Sequence, residues 1–530
     1  MIDQTLEPVD ERRILRVALD WAVEGIDPPR AGGGWNTGRV VQHTHESLVE
    51  DDFDTPPSTP GECTRLTPCL AEAIDVSEDM RHFVFRIRPG VKFHDGAALD
   101  AAAVAANYAR MCDPGSTLYS PQAGDFNRTG IETISQVNVI DSMTVEFVHR
   151  QPAPEFLRYM TQQDAPGAQA LVSPRALKAF GPHGCTDQAP GTGPFYFEER
   201  FDTPGGSAVM LRANEHYWQG RPWLSGIQFL PFPILADRVR ALEEGVVDVA
   251  YSLEGADLER LAAQGFTVPA FSPPYLWYLV LNMQDPLMSD LRVRRAIAHA
   301  IDRVSLSESL FPGATLPACS ALPPGSPAHD PQATEHYQYD PALARALLVE
   351  AGVQPGTVIR AIAAQAGSAQ LDPTGIQSQI ARDLAKVGLR LETELHPDWV
   401  GYFNGWREGA PEGVSISEMS WGMSCDSWLA QILHSKNCSP AGFNAGYAVD
   451  DVLDDLLDRA SIQVDSEERI ALYRAADRRI METLPILPLL TSQRGMLAFS
   501  SAVKGLVVVN QCWQDFRRVQ LTRLSNQQMD

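Results

Sequence analysis

The sharpest hydrophobic pattern lies at Phe271–Asp302, close to the middle of the chain. Tyr275–Met283 is mostly apolar and rich in aromatic and branched residues, the composition of a strand covered on both faces. Pro273 and Pro274 close its front, and Asp285 with Pro286 breaks it. Ser289 or Asp290 then caps a helix from Leu291, where Val293, Ile297, Ala300 and Ile301 recur at helical spacing. Arg292, Arg294 and Arg295 fall mostly on the other face. This strand and helix are expected to begin a second lobe and to border a cleft.

The rest of the chain alternates strands and helices without an internal repeat. Ile14–Leu19 has the pattern of a short strand, and Asp27-Pro28-Pro29 that of a turn. A glycine-rich stretch, Gly32 to Gly38, leads into a helix near Val40–Val49. Phe83, Phe85 and Ile87 alternate with Val84, Arg86 and Arg88, the period of a half-buried strand. Asp100 caps an alanine-rich helix to about Met111, and Thr144–Val148 alternates again. Gly191–Phe195 opens a hairpin-like stretch through Val209–Arg212. Ile227–Leu230, a helix from Leu235 to Glu244 and Val247–Tyr251 form a strand–helix–strand unit. Asp340-Pro341 starts a helix that Gly352 ends. The Ile376, Ile380, Leu384, Val387 stripe precedes an alternating strand at Leu389–Leu395. Helices follow near Asp450–Ala460 and Ser466–Thr483. Leu484–Leu490 holds two prolines, which suits a crossing segment better than an inner strand. Val503–Asn510 has the pattern of a strand returning to the first lobe.

Charge narrows the partners. The 530 residues carry 43 Lys and Arg against 67 Asp and Glu, a net −24. Nucleic acid and anionic membranes need a basic surface, so neither is an expected partner. No run approaches the roughly 18 apolar residues of a membrane span. The first twenty residues lack the apolar core of a secretory signal, leaving a cytosolic protein or a trimmed signal. Eight cysteines form no CxxC pair and lack histidines at zinc spacing, so no metal and no cofactor is expected. Their even number permits disulfides without demanding them.

Motifs for catalysis are thin. In the glycine-rich stretch Arg39-Val40 stands where a phosphate-binding loop needs Lys-Ser/Thr, and the dinucleotide fingerprint fails at Thr37. The glycines are therefore assigned to a tight turn or a close approach to a ligand. His94 beside Asp95 on a turn is assigned a structural role, and His43 and His45 point apart on a helix. A hydrolase of a small amide or ester needs an activated nucleophile, yet the chain has neither GxSxG nor HExxH.

Five stretches together carry a resemblance: FVFRIRPGVKFHDG (83–96), GTGPF (191–195), NEHYWQGRPWL (214–224), DLRVRRAIAHAIDR (290–303) and YDPALARALLVEAG (339–352). In this order they resemble the extracytoplasmic solute-binding proteins of ABC importers, of the peptide/nickel/oligosaccharide-binding type (family 5), over roughly residues 14 to 510. The resemblance implies an α/β, two-lobed periplasmic-binding-protein fold (cluster C type) with mixed sheets and two hinge crossings. The first lobe is then 1–269, with an inserted subdomain at about 50–184. The second is 270–489, and 490–530 return to the first, with crossings near Phe271 and Leu487. It further implies a periplasmic or otherwise extracytoplasmic location with a trimmed signal, a small-molecule ligand, a membrane permease as partner, and a monomer. Cys425 and Cys438 resemble a disulfide-bearing stretch of dipeptide binders.

Dipeptide-binding relatives hold the ligand's amine with an aspartate just after a Gly-Trp pair, and its carboxylate with an arginine early in the second lobe. Here Ser424 falls at the aspartate position, Asp426 lies later, and no arginine occurs between Arg360 and Arg382. An unpaired buried terminal charge costs several kcal/mol, so a free dipeptide is disfavoured. Nothing clearly repeats the histidine and arginine of nickel-uptake relatives. The expected site is aromatic: Trp35, Phe126, Tyr275, Trp277, Trp421 and Trp428. Asn36, Ser424 and Asp426 supply hydrogen bonds, and Cys425 lies between the last two. Such walls suit a neutral or aromatic solute, a conjugate or an oligosaccharide. An oligopeptide with re-sited anchors is the alternative.

Overall fold

Two six-stranded mixed sheets and one four-stranded antiparallel sheet carry the chain. The computed structural model describes residues 13–30, 35–55, 64–161, 169–181, 184–330, 337–367 and 369–522; the side chain of Phe126 and the residue Cys63 lie outside that description. The first six-stranded sheet runs Leu497–Phe499, Val249–Tyr251, Ile14–Leu19, Gly226–Pro231, Gly206–Ala213, Phe195–Thr203. Three of its four inner strands, Ile14–Leu19, Gly226–Pro231 and Val249–Tyr251, are parallel. The four-stranded sheet, Ala71–Val76, His82–Ile87, Thr144–His149 and Ile134–Asp141, buries the alternating Phe83, Phe85 and Ile87. Asp100 caps the helix Ala101–Cys112 packed beside it, accepting from the Ala103 N–H.

The second six-stranded sheet runs Thr315–Pro317, Ile486–Ser492, Tyr275–Leu281, Ile416–Gly422, Val358–Ala364, Arg390–His396. All seven residues of Tyr275–Leu281 are buried. Leu276, Tyr278 and Val280 enter one core, and Tyr275, Trp277, Leu279 and Leu281 enter the other. That is why the run is continuously apolar: a central strand has no side facing water. Beyond it Asp285 does more than break the strand. Its carboxylate accepts from Leu287 and Met288 N–H and starts the short helix Pro286–Ser289, and Asp290 caps Leu291–Ala300. Arg294 turns inward rather than outward. It donates to the carbonyls of Met288, Ser289 and Thr483, satisfying helix ends that would otherwise lack donors.

Three sequence expectations need correction. Leu484–Leu490 is no crossing, because Ile486–Ser492 pairs with Tyr275–Leu281 inside the second sheet. Pro488 is tolerated there at a register shift opposite Tyr278, where a missing N–H costs no regular ladder bond. The chain returns to the first sheet through 493–496, and the strand it enters is Leu497–Phe499. Of Val503–Asn510 only Val503–Lys504 forms a strand, with Gln520–Leu521. Cys425 and Cys438 are not bridged: Cys425 Sγ lies 3.0 Å from the Ser427 hydroxyl, and Cys438 Sγ faces the Ala448 carbonyl at 3.7 Å. The helix Trp428–Leu433 lies between the two cysteines in the chain.

The crossing segments are tied to each other. Gly495 N–H donates to Phe271 O at 2.6 Å, and the Ser272 hydroxyl to Ser492 O at 3.0 Å. A Cβ on Gly495 would fall inside the Phe271 ring, so glycine is required for this approach.

The inserted four-stranded unit is pinned to the first sheet by a buried ion pair. Arg110, fully buried on Ala101–Cys112, donates to both Asp27 carboxylate oxygens, one at 2.7 Å, and Asp27 also accepts from Cys185 N–H. Removing one partner strands the other charge. Arg110→Met should therefore destabilise the protein by about 3–5 kcal/mol, and Arg110→Met with Asp27→Asn by clearly less. Urea unfolding of the three proteins measures it; equal losses in single and double variants would contradict the pairing argument.

Candidate ligand cleft between the lobes

Parallel strands aim their carboxyl ends at one another across the two sheets. Ile14–Leu19, Gly226–Pro231 and Val249–Tyr251 deliver the first lobe's segments 20–26, 232–234 and 252–254. Val358–Ala364, Arg390–His396 and Ile416–Gly422 are likewise parallel and deliver segments 365–372, 397–398 and 423–427. Ligand crevices in open α/β sheets form outside such ends.

The two sets of loops touch. The Ala369 N–H donates to Asp20 Oδ2 at 3.3 Å, while Ser252 donates to the same oxygen at 2.7 Å. A cavity beside this contact is lined by Asp20, Arg238 and Ser252 from one lobe, and Phe311, Gly367 and Gln370 from the other. Trp21 packs against the second lobe's aromatic core. Trp35 opens the helix Trp35–Thr44 and lies edge-on to Tyr275, ring centres 5.2 Å apart. Its ring reaches so close to Gly422 that any side chain there would collide with it. On the other rim, Tyr473 of the helix Ser466–Thr483 donates to Glu155 at 2.7 Å, and Lys436 meets Glu132 at 3.3 Å.

The residues singled out from sequence separate by role. Trp421 stands in an aromatic wall, 5.2 Å from both Trp428 and Phe443 and 6.2 Å from Trp406. Trp35 and Tyr275 stand together at the hinge side. Trp277 is fully buried and donates to the Ala369 carbonyl at 3.0 Å, so it positions the loop. Asn36 is buried too: its amide donates to Asp20 at 2.9 Å and to Trp21 O at 2.9 Å, holding the first-lobe loop in place. Ser424 is buried at the end of Ile416–Gly422, and Cys425 is half-buried beside Ser427. Asp426 accepts from the Ser326 hydroxyl. Phe126 lies on the helix Pro121–Ile131, its side chain outside the described residues. His94 donates to the Gly193 carbonyl and Asp95 accepts from the Ser173 hydroxyl, so the pair forms no dyad.

The sequence argument missed Asp20, Trp21, Glu24, Glu155, Asp398, Arg407 and Phe443. One signal for the first three was present: they directly follow the strand Ile14–Leu19, at a carboxyl end.

Charges shift where the lobes meet. Burial pushes Asp20 up, but Arg39 and Arg238 with two hydrogen bonds outweigh it and hold the carboxyl below its ordinary value. Glu24 lines solvent-accessible space yet is crowded by protein. Its desolvation, with Asp398 facing it from the other lobe, pushes it up to about 7. Burial pushes Glu155 up to about 7 against the Tyr473 hydrogen bond, with Asp426 adding repulsion. Burial likewise pushes Asp426 up to about 6, with the Ser326 bond opposing. The segment 365–372 of the second lobe carries neither arginine nor lysine. Gln370 instead donates to Ser420 at 2.7 Å.

Two mixed-sheet lobes hinged on paired crossings and closed over a loop-lined cleft define a two-lobed solute-binding protein. The chain belongs to the bacterial extracellular solute-binding proteins, family 5, whose middle region matches residues 65–439. It is 27% identical over 499 residues to di/tripeptide-binding protein 2 of Pseudomonas aeruginosa (strain UCBPP-PA14), covering 90% of this chain and 89% of that one. It is also 27% identical to a glutathione-binding protein of Shigella flexneri serotype 5b (strain 8401), with 81% of each covered. A dipeptide-binding protein of Pseudoalteromonas sp. SM9913, solved with Met-Leu, shares the fold. The TM-score is 0.84 at 23% identity, with 96% of this chain and 99% of that one covered. Members of the family are extracytoplasmic, bind small ligands and work with ABC permeases. Among the described residues no helix is long and apolar enough to cross a membrane.

The acids at the interface fix a pH dependence. With the lobes in contact Glu24 and Glu155 stand at about 7, above the ordinary 4.5 of an exposed carboxyl. A raised carboxyl means the closed form holds more protons between those values, so closure weakens as pH rises through about 4.5 to 7 and levels off above. Small-angle scattering of ligand-free protein should show a larger radius at pH 8 than at pH 5. Glu24→Gln with Glu155→Gln should flatten the change; an unaltered slope would rule these groups out.

Proposed function

We propose that this chain is the substrate-binding component of an ABC importer, working as a monomer outside the cytoplasm without catalysis or nucleic acid. It encloses a small solute between a first lobe, residues 1–269 with its inserted unit at about 50–184 plus the return segment after Ser492, and a second lobe, 270–492. The observation that carries this reading is the pair of hydrogen-bonded crossings beneath two facing sets of strand-end loops. That arrangement allows hinge closure with little change inside either sheet. The relatives that bind di/tripeptides and glutathione set the scale of the ligand.

For the ligand itself we infer a solute with a flat or aromatic body, or a conjugate, rather than a free dipeptide gripped where dipeptide-binding relatives grip it. Supporting this are the buried neutral Ser424, the cation-free 366–372 loop, and the Trp421–Phe443 wall facing Trp21 and Trp35. A peptide-like solute with its charges held elsewhere is the second reading, favoured by the half-buried Arg407.

Mass spectrometry of solute released by denaturation identifies the ligand. With it, the scattering radius should fall on binding, and Trp421→Ala should weaken affinity by about 1–3 kcal/mol if the ring contacts the solute. Calorimetry against unmodified dipeptides should show no binding at micromolar concentration. An unchanged radius at saturation argues against the hinge, and micromolar dipeptide binding against this view of the pocket.

A further inference from the structure

Seven non-glycine residues among those described have a left-handed backbone. Leu484 ends the helix Ser466–Thr483, and Met80 and Tyr447 close turns through their own N–H groups, onto Ser77 O and Asn444 O. Two others meet at one atom. Ser252, at φ 55°, directly follows the strand Val249–Tyr251 of the first lobe, and its hydroxyl donates to Asp20 Oδ2 at 2.7 Å. Ala369, at φ 61°, belongs to the second lobe, and its N–H donates to the same oxygen at 3.3 Å. This backbone is uncommon outside glycine and unfavourable for an L-residue. Two such residues reaching one carboxylate from opposite lobes therefore mark a place where strain is held.

The two are held differently. Ser252 is fixed within its own lobe, where its carbonyl accepts from Arg238 at 2.7 Å. Asp20 is fixed there as well, by Asn36 at 2.9 Å and by the charges of Arg39 and Arg238. Ala369 is held from both sides. Its carbonyl accepts from Trp277 at 3.0 Å and from Ser420 at 3.3 Å, both of the second lobe, while the Asp20 bond on its N–H crosses to the first. Gln370 N–H donates to Gly367 O at 3.2 Å, which closes a turn whose third residue is Ala369. A left-handed residue at that place in a turn is ordinarily glycine or asparagine. With alanine the turn is poorly favoured on its own. Packing accounts for a buried alanine but not for this backbone. The cavity shared by the lobes, lined by Gly367, Gln370 and Leu371, gives the turn room to rearrange.

Resting on the hinge reading above, we propose that Asp20, Ser252 and Ala369 form a strained clasp, in which Asp20 holds the Ala369 turn left-handed only while the lobes touch. Closure makes the Asp20 bond and takes up the strain at Ala369; opening breaks the bond and releases the strain. The clasp keeps the solute-free protein from staying shut. It also makes the order of the loop after Ala364, which borders the cleft, depend on closure. Glycine in place of Ala369 keeps the bond and removes the strain, so it favours the closed form. If Ala369 merely packs, the sign is opposite, because glycine loses a buried methyl and loosens the contact.

The test uses the full-length protein with one dye in each lobe, attached through an azide-bearing amino acid at the exposed Ile140 and Val349. Single-molecule energy transfer gives the closed-to-open ratio without solute and along a titration with yeast extract, a mixed source of small solutes. Circular dichroism confirms that each variant is folded. Ala369→Gly should raise the ratio about threefold or more below saturation, and Ala369→Val should lower it by as much. Asp20→Ala should lower the ratio, and adding Ala369→Gly to it should change nothing further. A ratio unchanged or lowered in Ala369→Gly overturns the clasp while leaving the hinge intact. A glycine effect that persists undiminished without Asp20 overturns it too. Should Asp20→Ala not fold, the sign of the Ala369→Gly shift still decides. Wild type that holds a single inter-lobe distance with and without extract contradicts the hinge reading itself, and the clasp with it.

Discussion

The strand Tyr275–Leu281 is the constraint on which the second lobe and the hinge depend. Its seven residues are divided between two cores, so neither helical layer can shift without exposing large side chains of the same strand. Each such side chain contributes roughly 1.5–3 kcal/mol by burial, which keeps the sheet rigid. Immediately before it comes the outgoing crossing, and immediately beside it Ile486–Ser492 leads to the return. Both crossings thus leave from the most rigid part of the lobe. Bending is confined to the short stretches that join the sheets, where Gly495 and Phe271 share a hydrogen bond.

Electrostatics and packing act in opposite directions on the cleft. Trp21 and Trp35 carry apolar surface across the interface, which favours contact between the lobes. Glu24 against Asp398, and Glu155 near Asp426, bring like charges from opposite lobes together and oppose it. The pairs Asp20–Ala369 and Glu155–Tyr473 supply hydrogen bonds that exist only when the lobes meet. A balance of this kind leaves closure responsive to what lies between the lobes, since modest differential contacts move an equilibrium that is near level.

Much of the fold was legible because its signals are local. Alternation at Phe83–Ile87, the cap at Asp100, proline at the start of the Pro341–Glu350 helix and the apolar run at Tyr275 each report a few neighbouring residues. The site was legible only in part. Trp421 and Trp35 were found as aromatic residues on telling stretches. Asn36 and Trp277 were found too, but they bond the backbone of the loops that form the cleft. A polar atom's partner is a tertiary fact: Asn36 meets Asp20 sixteen residues away, and Trp277 meets Ala369 ninety-two away. Pro488 misled for a related reason. Proline forbids a regular ladder bond, and only the paired strand reveals that an irregularity lies opposite.

By itself the sequence determined the α/β class, the order of the elements, the acidic character and the lack of any arginine between Arg360 and Arg382. Those follow from residue type, spacing and net charge, which need no coordinates. Tertiary structure alone decided which carboxyl ends face each other and which charges become neighbours. It also set which arginines find partners. Arg294 and Arg407 look alike in sequence, each on a short helix beside apolar residues. One is turned onto the carbonyls of Met288, Ser289 and Thr483 and the other onto the Phe443 ring, because the packing of each helix against its neighbours within the second lobe sets where its guanidinium can reach.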